Sequence, residues 1–144
     1  MEMKMNEPIL EFQGEYRFLS NFWPAEVHFE GEYYPSVEHA YVAAKTLDPT
    51  LRKQFQSGSP GAVKRAGRQL QLRPDWEEVK LTVMRRLLYL KFQNPELREK
   101  LLATGERELV EGNNWSDFYW GVCRGKGQNH LGRLLMEVRA ELRK

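Results

Sequence analysis

The spacing of apolar residues changes at Pro35-Ser36, and this change constrains the fold more than any other feature of the chain. Before it, Glu26 to Tyr34 (EVHFEGEYY) alternates apolar and polar residues around Gly31, which predicts a short hairpin. After it, Val37, Ala40, Tyr41, Ala44 and Leu47 keep a helical spacing. Ser36 reads as the N-cap of that helix and Asp48-Pro49 as its end. Further helices are predicted from near Pro60 to Leu70, and from about Trp76 to Phe92 with Val79, Val83, Leu87 and Leu90 on one side. Asn94-Pro95 breaks the second of these and starts a short helix through Leu102; a last helix covers Leu131 to Leu142. The expected class is therefore mainly α (α+β): a single compact helical domain over 1–144, with a small N-terminal β element and an irregular segment at 1–12.

At 144 residues, 41% hydrophobic and 29% charged, the chain suits one globular domain rather than a disordered segment. No apolar run approaches the roughly 20 residues that cross a bilayer, and the start, MEMKMNEPILEF, shows neither an h-region nor a cleavage site, so no membrane association is expected. Cys123 is the single cysteine, which excludes an intramolecular disulfide and a cysteine-based zinc site and makes the cytoplasm the expected location. The net charge of +2 is unevenly distributed. Residues 1–48 carry nine acids and three bases, whereas the remainder carries eleven acids and nineteen bases. That basic part can attract phosphate, although the same residues also read as solvated helix faces.

Three stretches can carry chemistry. In SVEHAYVAAK, Glu38 and Lys45 are seven residues apart, so at about 100° and ~1.5 Å per residue they fall almost on one line, roughly 10 Å apart. Tyr41 lies between them on the same face. At a half-buried cleft, desolvation would raise the pKa of the acid and lower that of the amine, preparing either for proton transfer or attack. The competing reading is an amphipathic helix with two snorkelling boundary charges. The second stretch, NNWSDFYWGVCRGKGQNHLG (113–132), has two tryptophans, four glycines and three asparagines, too aromatic for a disordered connector. Gly125, Lys126 and Gly127 stand before a helix start near Asn129, where backbone amides and partial positive charge suit a phosphate. It is not a Walker loop: Gly121 to Lys126 gives GxxxGK, one residue short, and Gly127 replaces the Ser/Thr. Asp117 reads as an acid/base, a ribose-hydroxyl acceptor or a turn residue; Trp115 and Trp120 read as base-stacking or loop-anchoring rings. The third stretch is Ser20-Asn21, a polar pair among aromatics that binds a ligand or caps a turn.

Other chemistries find no support. His28, His39 and His130 have no metal-ligand spacing, no HExxH or GxSxG is present, and a glycosidase carboxylate pair would need Asp117 as partner to Glu38.

Taken in order, EYRFLSNFWP (15–24), YPSVEHAYVAAK (34–45), SPGAVKRAGR (59–68), DWEEVKLTVMRRLLYLKF (75–92), ELREKLLATGERELVE (96–111) and DFYWGVCRGKGQNHLGRLLMEVR (117–139) resemble the NADAR family, also called YbiA-like N-glycosidases. The likeness runs from about Glu15 to Leu142; Cys123 departs from it, since many relatives have glycine there. The resemblance implies a helical domain of the YbiA-like type and metal-independent hydrolysis of the bond between ribose C1′ and a base nitrogen, without a cofactor. Two substrate classes follow from it: ADP-ribose on guanine in nucleic acid, the favoured one given the basic C-terminal part, and phosphoribosylamino-pyrimidine intermediates of riboflavin synthesis. The partner is accordingly a ribose-phosphate or ADP-ribose-containing substrate, including ADP-ribosylated nucleic acid. It implies Glu38 as acid/base, Lys45 as charge stabiliser or Schiff-base nucleophile, and Asp117 with Trp120 orienting ribose and ring. Tyr41 borders the pair, Ser20, Asn21 and Asn129 hold hydroxyls or phosphate oxygens, and Lys126 with the amides near Gly121 and Gly127 meets phosphate. A non-catalytic ADP-ribose or nucleotide-binding module is the rival class, against which an acid and an amine on one helix line argue. A plain helical interaction domain is opposed by the tryptophan- and glycine-rich loop.

Overall fold

The computed structural model describes residues 6–144, so the expected irregular segment at 1–12 lies partly outside the described residues. After a 3-10 helix, Gly14–Leu19, come β1 Val27–Phe29, β2 Glu32–Tyr34, α1 Val37–Ala44, α2 Pro49–Gln54, α3 Pro60–Gly67 and α4 Trp76–Lys91. They are followed by α5 Pro95–Ala103, β3 Gly112–Asn113, β4 Val122–Cys123 and α6 His130–Leu142. Long helices and very short strands make this an α+β chain. The elements form two compact units: Asn21–Lys91, and Met1–Ser20 together with Phe92–Lys144.

In the unit Asn21–Lys91, β1 and β2 pair antiparallel with Val27 opposite Tyr34 and Phe29 opposite Glu32. Glu30 and Gly31 both take positive φ, as a two-residue turn matching the strand twist requires. Ser36 caps α1, its Oγ accepting from the His39 backbone N–H at 3.2 Å. Every residue of α1 is buried, because α2, α3, α4 and the hairpin surround it. A helix enclosed in this way needs small side chains where neighbours approach. Ala40, Ala43 and Ala44 supply them on α1, and Gly67 supplies one on α3, where a Cβ would come within 2.9 Å of Val42 Cγ1.

Two details differ from the periodicity. The helix stops at Ala44 rather than continuing to Leu47, which is 59% exposed. The cause is distant in sequence: the Arg73 backbone N–H bonds the Lys45 carbonyl at 2.8 Å, and its guanidinium reaches the Ala44 carbonyl at 3.5 Å, so these terminal acceptors are satisfied without another helical turn. Asp48-Pro49 then begins a helix instead of ending one, with Asp48 Oδ1 accepting from Thr50 N–H at 2.9 Å. On α4, the buried face is Trp76, Met84, Leu87, Leu88 and Lys91, while Val79, Val83 and Leu90 are half-buried. The face is set by α1 and β1, against which α4 packs.

In the other unit, Asn94 caps α5 through Oδ1 to the Leu97 N–H, and α5 packs on α6. Helix α6 buries Leu131, Leu134, Leu135, Val138 and Leu142, and the buried Arg139 donates to Thr104 Oγ1 at 2.8 Å. Ile9 exchanges backbone hydrogen bonds with Glu108 and Val110, and both Ile9 and Phe12 are buried. No helix among the described residues is long and apolar enough to cross a membrane.

Candidate active site

Glu38 occupies the second position of α1, 9% exposed, with its backbone N–H donating to the Asn21 carbonyl at 3.1 Å. Lys45 caps the other end at φ −67°, ψ −17°, so it continues the helical line and stays on the same edge as Glu38. Between them, the Tyr41 ring is held against Trp76, centroids 5.2 Å apart, and the Lys45 Nζ stands 5.4 Å from the Tyr41 centroid. Burial pushes the Lys45 ammonium below the ordinary lysine range. Glu38 opposes that shift, while the charges of Lys64, Arg68 and Lys80 add to it. The amine is therefore closer to its neutral, nucleophilic form than a surface lysine is.

Asn21 sits at the start of the same edge. Its Nδ2 approaches Met84 Sδ at 3.6 Å, and its Oδ1 is buried without a hydrogen-bond donor among the described residues. A buried acceptor left open costs stability, so its presence beside Glu38 calls for an explanation outside packing. His39 anchors the opposite side of the helix. Its Nε2 lies 2.9 Å from the Gly58 carbonyl, which can only accept, so Nε2 carries the proton and Nδ1 accepts from Ser36 Oγ at 2.6 Å. That pair ties the turn before α3 to the first turn of α1.

The cations around Lys45 belong to elements without a role in the sequence reading. On α3, Val63 and Gly67 are buried; the half-buried Lys64 and the exposed C-cap residue Arg68 each follow one of them, four apart on one line. Lys64 Nζ lies 5.8 Å from the centroid of Phe22. Lys80 of α4 has a largely covered side chain, 17% exposed, with Glu77 Oε1 at 2.8 Å. The stretch SPGAVKRAGR carried a visible signal for this, an i, i+4 basic pair beside a buried valine and glycine.

Residues 111–129, in the other unit, use their polar groups differently. β3 and β4 pair in parallel, Gly112 with Val122 and Asn113 with Cys123. Asn113 Nδ2 serves the Glu111 carboxylate at 3.0 Å and the Asp117 carbonyl at 3.0 Å, and its Oδ1 accepts from Asp117 N–H. Asp117 Oδ1 in turn accepts from the N–H groups of Tyr119 and Trp120, at 3.1 and 2.8 Å. Asn129, at φ 53°, donates through Nδ2 to the Leu109 carbonyl and accepts at Oδ1 from Glu111 N–H. Gly121 leaves no room for a Cβ, which would meet the Glu111 carbonyl and carboxylate; at Gly127 a Cβ would meet the Gly121 carbonyl. The first amides of α6 are bonded as well: His130 N–H to the Tyr119 carbonyl and Leu131 N–H to the Trp120 carbonyl, at 3.1 and 2.9 Å. The helix start that the sequence offers to a phosphate is thus closed by its own loop. Trp120 is half-buried and edge-on to Tyr119, while Trp115 and Phe118 are exposed. Lys126 is exposed and closes a tight turn with Cys123, through Arg124 and Gly125 at positive φ.

The structure therefore gathers Asn21, Glu38, Tyr41 and Lys45 in one unit, and Asp117, Trp120, Gly121, Lys126, Gly127 and Asn129 in the other. Ser20 ends the 3-10 helix, its N–H bonded to the Arg17 carbonyl at 2.9 Å.

The NADAR domain profile matches residues 10–143. The chain is 43% identical over 148 residues to N-glycosidase YbiA of Escherichia coli (strain K12), covering 96% of this chain and 91% of that protein. It is 39% identical to Riboflavin biosynthesis protein VVA0006 of Vibrio vulnificus, over 96% of this chain but 39% of the longer relative. The NMR structure of E. coli YbiA superposes with a TM-score of 0.84 at 40% identity, covering 96% of this chain and 86% of that one.

Proposed function

The chain belongs to the NADAR family, and on that premise we propose that it hydrolyses an N-glycosidic bond between ribose C1′ and an amino nitrogen. The observation that carries the reading is the Lys45 amine, desolvated and electrostatically coupled to Glu38 along one edge of α1. A ribosylamine opens its ring to give an imine at C1′. The neutral Lys45 Nζ adds to that carbon, and the ring-bearing nitrogen leaves with a proton from the Glu38 carboxyl. Water, deprotonated by the Glu38 carboxylate, then attacks the Lys45 imine. The products are the free amine, the sugar with oxygen at C1′, and a regenerated Lys45. The open acceptor Asn21 Oδ1 suits a ribose hydroxyl beside the reacting carbon. Neither step draws on a cofactor.

The favoured substrate is ADP-ribose on guanine in nucleic acid, supported by the excess of bases after residue 48. A phosphoribosylamino-pyrimidine is the second reading, supported by the Vibrio vulnificus relative's name. Both present a phosphorylated ribose on an amino nitrogen. Offering the two substrates side by side at equal concentration and comparing kcat/KM decides between them. Borohydride reduction during turnover should trap a sugar on Lys45. An active enzyme that never yields the adduct would instead support direct attack by water.

A further inference from the structure

We propose that Lys64 of α3 and Arg68 at its C-cap, with Lys80 of α4, form the subsite that holds the phosphate on the substrate ribose, next to the Glu38–Lys45 edge. The inference rests on reading that edge as the place where the sugar reacts.

Four observations support it. Lys64 and the C-cap residue Arg68, which keeps helical φ and ψ, are four residues apart and so share one line, directly beside the Val63 and Gly67 face that is buried in the unit. Gly67 brings α3 so close to α1 that its missing Cβ would touch Val42, so the residues on either side of Gly67 run next to α1. Lys64 Nζ is held over the Phe22 ring, next to the Asn21 whose amide oxygen has no donor among the described residues. Lys80 contributes from α4, the other helix packed on α1. Lys64, Arg68 and Lys80 thus each act on the Lys45 amine, opposed by Glu38, with Glu77 also at hand beside Lys80. Lys64 and Lys80 are half-buried and Arg68 is exposed beside them, so a dianion arriving from solvent meets positive charge at the rim of the edge. Their combined field is also felt at Lys45, which they push toward its neutral form. The alternative phosphate site fits less well, because the first amides of α6 already donate to the Tyr119 and Trp120 carbonyls.

The substrate class that follows is a ribose carrying phosphate on C5′, whether a terminal monoester or the first phosphate of a diphosphate. The test is calorimetric binding of ribose, ribose 5-phosphate and ADP-ribose to the full chain. Wild type should bind ribose 5-phosphate about tenfold to a hundredfold tighter than ribose, the difference that charge-assisted hydrogen bonds supply. Lys64→Ala with Arg68→Ala should remove that preference and leave ribose binding unchanged. A charge-matched control, Lys53→Ala with Arg65→Ala, should keep it. If the double alanine variant melts early, Lys64→Met and Arg68→Met retain the aliphatic stems and carry the same test. A wild type without preference, a variant that retains it, or a control that loses it equally would each overturn the proposal. ADP-ribose losing affinity together with ribose 5-phosphate supports a subsite for either source; loss confined to ribose 5-phosphate supports one for the monoester. Binding is read without turnover, so these outcomes stay separate from the glycosidase reading. A retained preference alongside loss of turnover in Glu38→Gln would remove the subsite and keep the reaction.

Discussion

Along the Glu38–Lys45 edge of the unit Asn21–Lys91, charged side chains act on one another; in residues 111–129 of the other unit, Asn113, Asp117 and Asn129 bind the backbone. Lys45 is desolvated beside one carboxylate and three further cations, an arrangement that does little to stabilise a fold and much to make an amine reactive. Asn113, Asp117 and Asn129 each bind two or more backbone groups. They hold a chain that has almost no regular structure of its own in one shape. The difference teaches that a polar residue's role depends on what its atoms already hold: occupied groups build, and crowded or open ones react.

If the contrast is sound, substitutions in the two regions separate activity from stability. The largest effect is expected from Glu38→Gln and Lys45→Ala, each lowering kcat by about 10²–10⁴-fold, the usual contribution of a positioned proton-transfer group or nucleophile. Their melting temperatures should stay near wild type. Turnover at the wild-type rate in Glu38→Gln would break the assignment. Gly121→Ala should act in the opposite sense. Its Cβ meets backbone and carboxylate of Glu111, and overpacking of this kind costs about 3 kcal/mol, read as a fall in the urea midpoint with activity per folded molecule retained. Asn129→Ala should lose about 2–3 kcal/mol, from two backbone partners left open and an αL position without its favoured residue. Asn129→Gly should recover the backbone part alone.

The smallest effect concerns pH. Lys45 has a folded pKa below its unfolded value of 10.5, so the folded state binds fewer protons between the two. Wild type therefore gains stability as pH rises through that window. Lys45→Met should be more stable below the folded pKa, by about 1 kcal/mol or less for a partly exposed group, and should lose that advantage by the time pH passes 10.5. Parallel urea titrations at neutral and alkaline pH check the sign. A methionine variant that is less stable at neutral pH would mean that the Glu38 attraction outweighs desolvation.

Much of this was legible in the residues. Ser36, Pro95 and the turn at Gly31 carry their own local chemistry, so caps and hairpin follow from sequence. The Glu38–Lys45 edge followed from helical geometry alone. The early stop of α1 was not legible, because Arg73, which bonds its last carbonyls, lies 28 and 29 residues away. Asp48-Pro49 was ambiguous for a related reason: the same pair can close one helix or cap the next. The tight carbonyl bonding at the start of α6 was hidden too, since glycines before a helix look the same whether their amides are open or filled.

The sequence by itself determined the helical class, the Ser36 cap, the family and the alignment of an acid with an amine, because each depends on residue types and spacing along the chain. Only the tertiary structure decided that Lys45 is desolvated, that Lys64, Arg68 and Lys80 gather near it, and that Asn129 serves the backbone. Burial and electrostatic fields depend on which distant segments arrive beside a residue, and no local spacing records that.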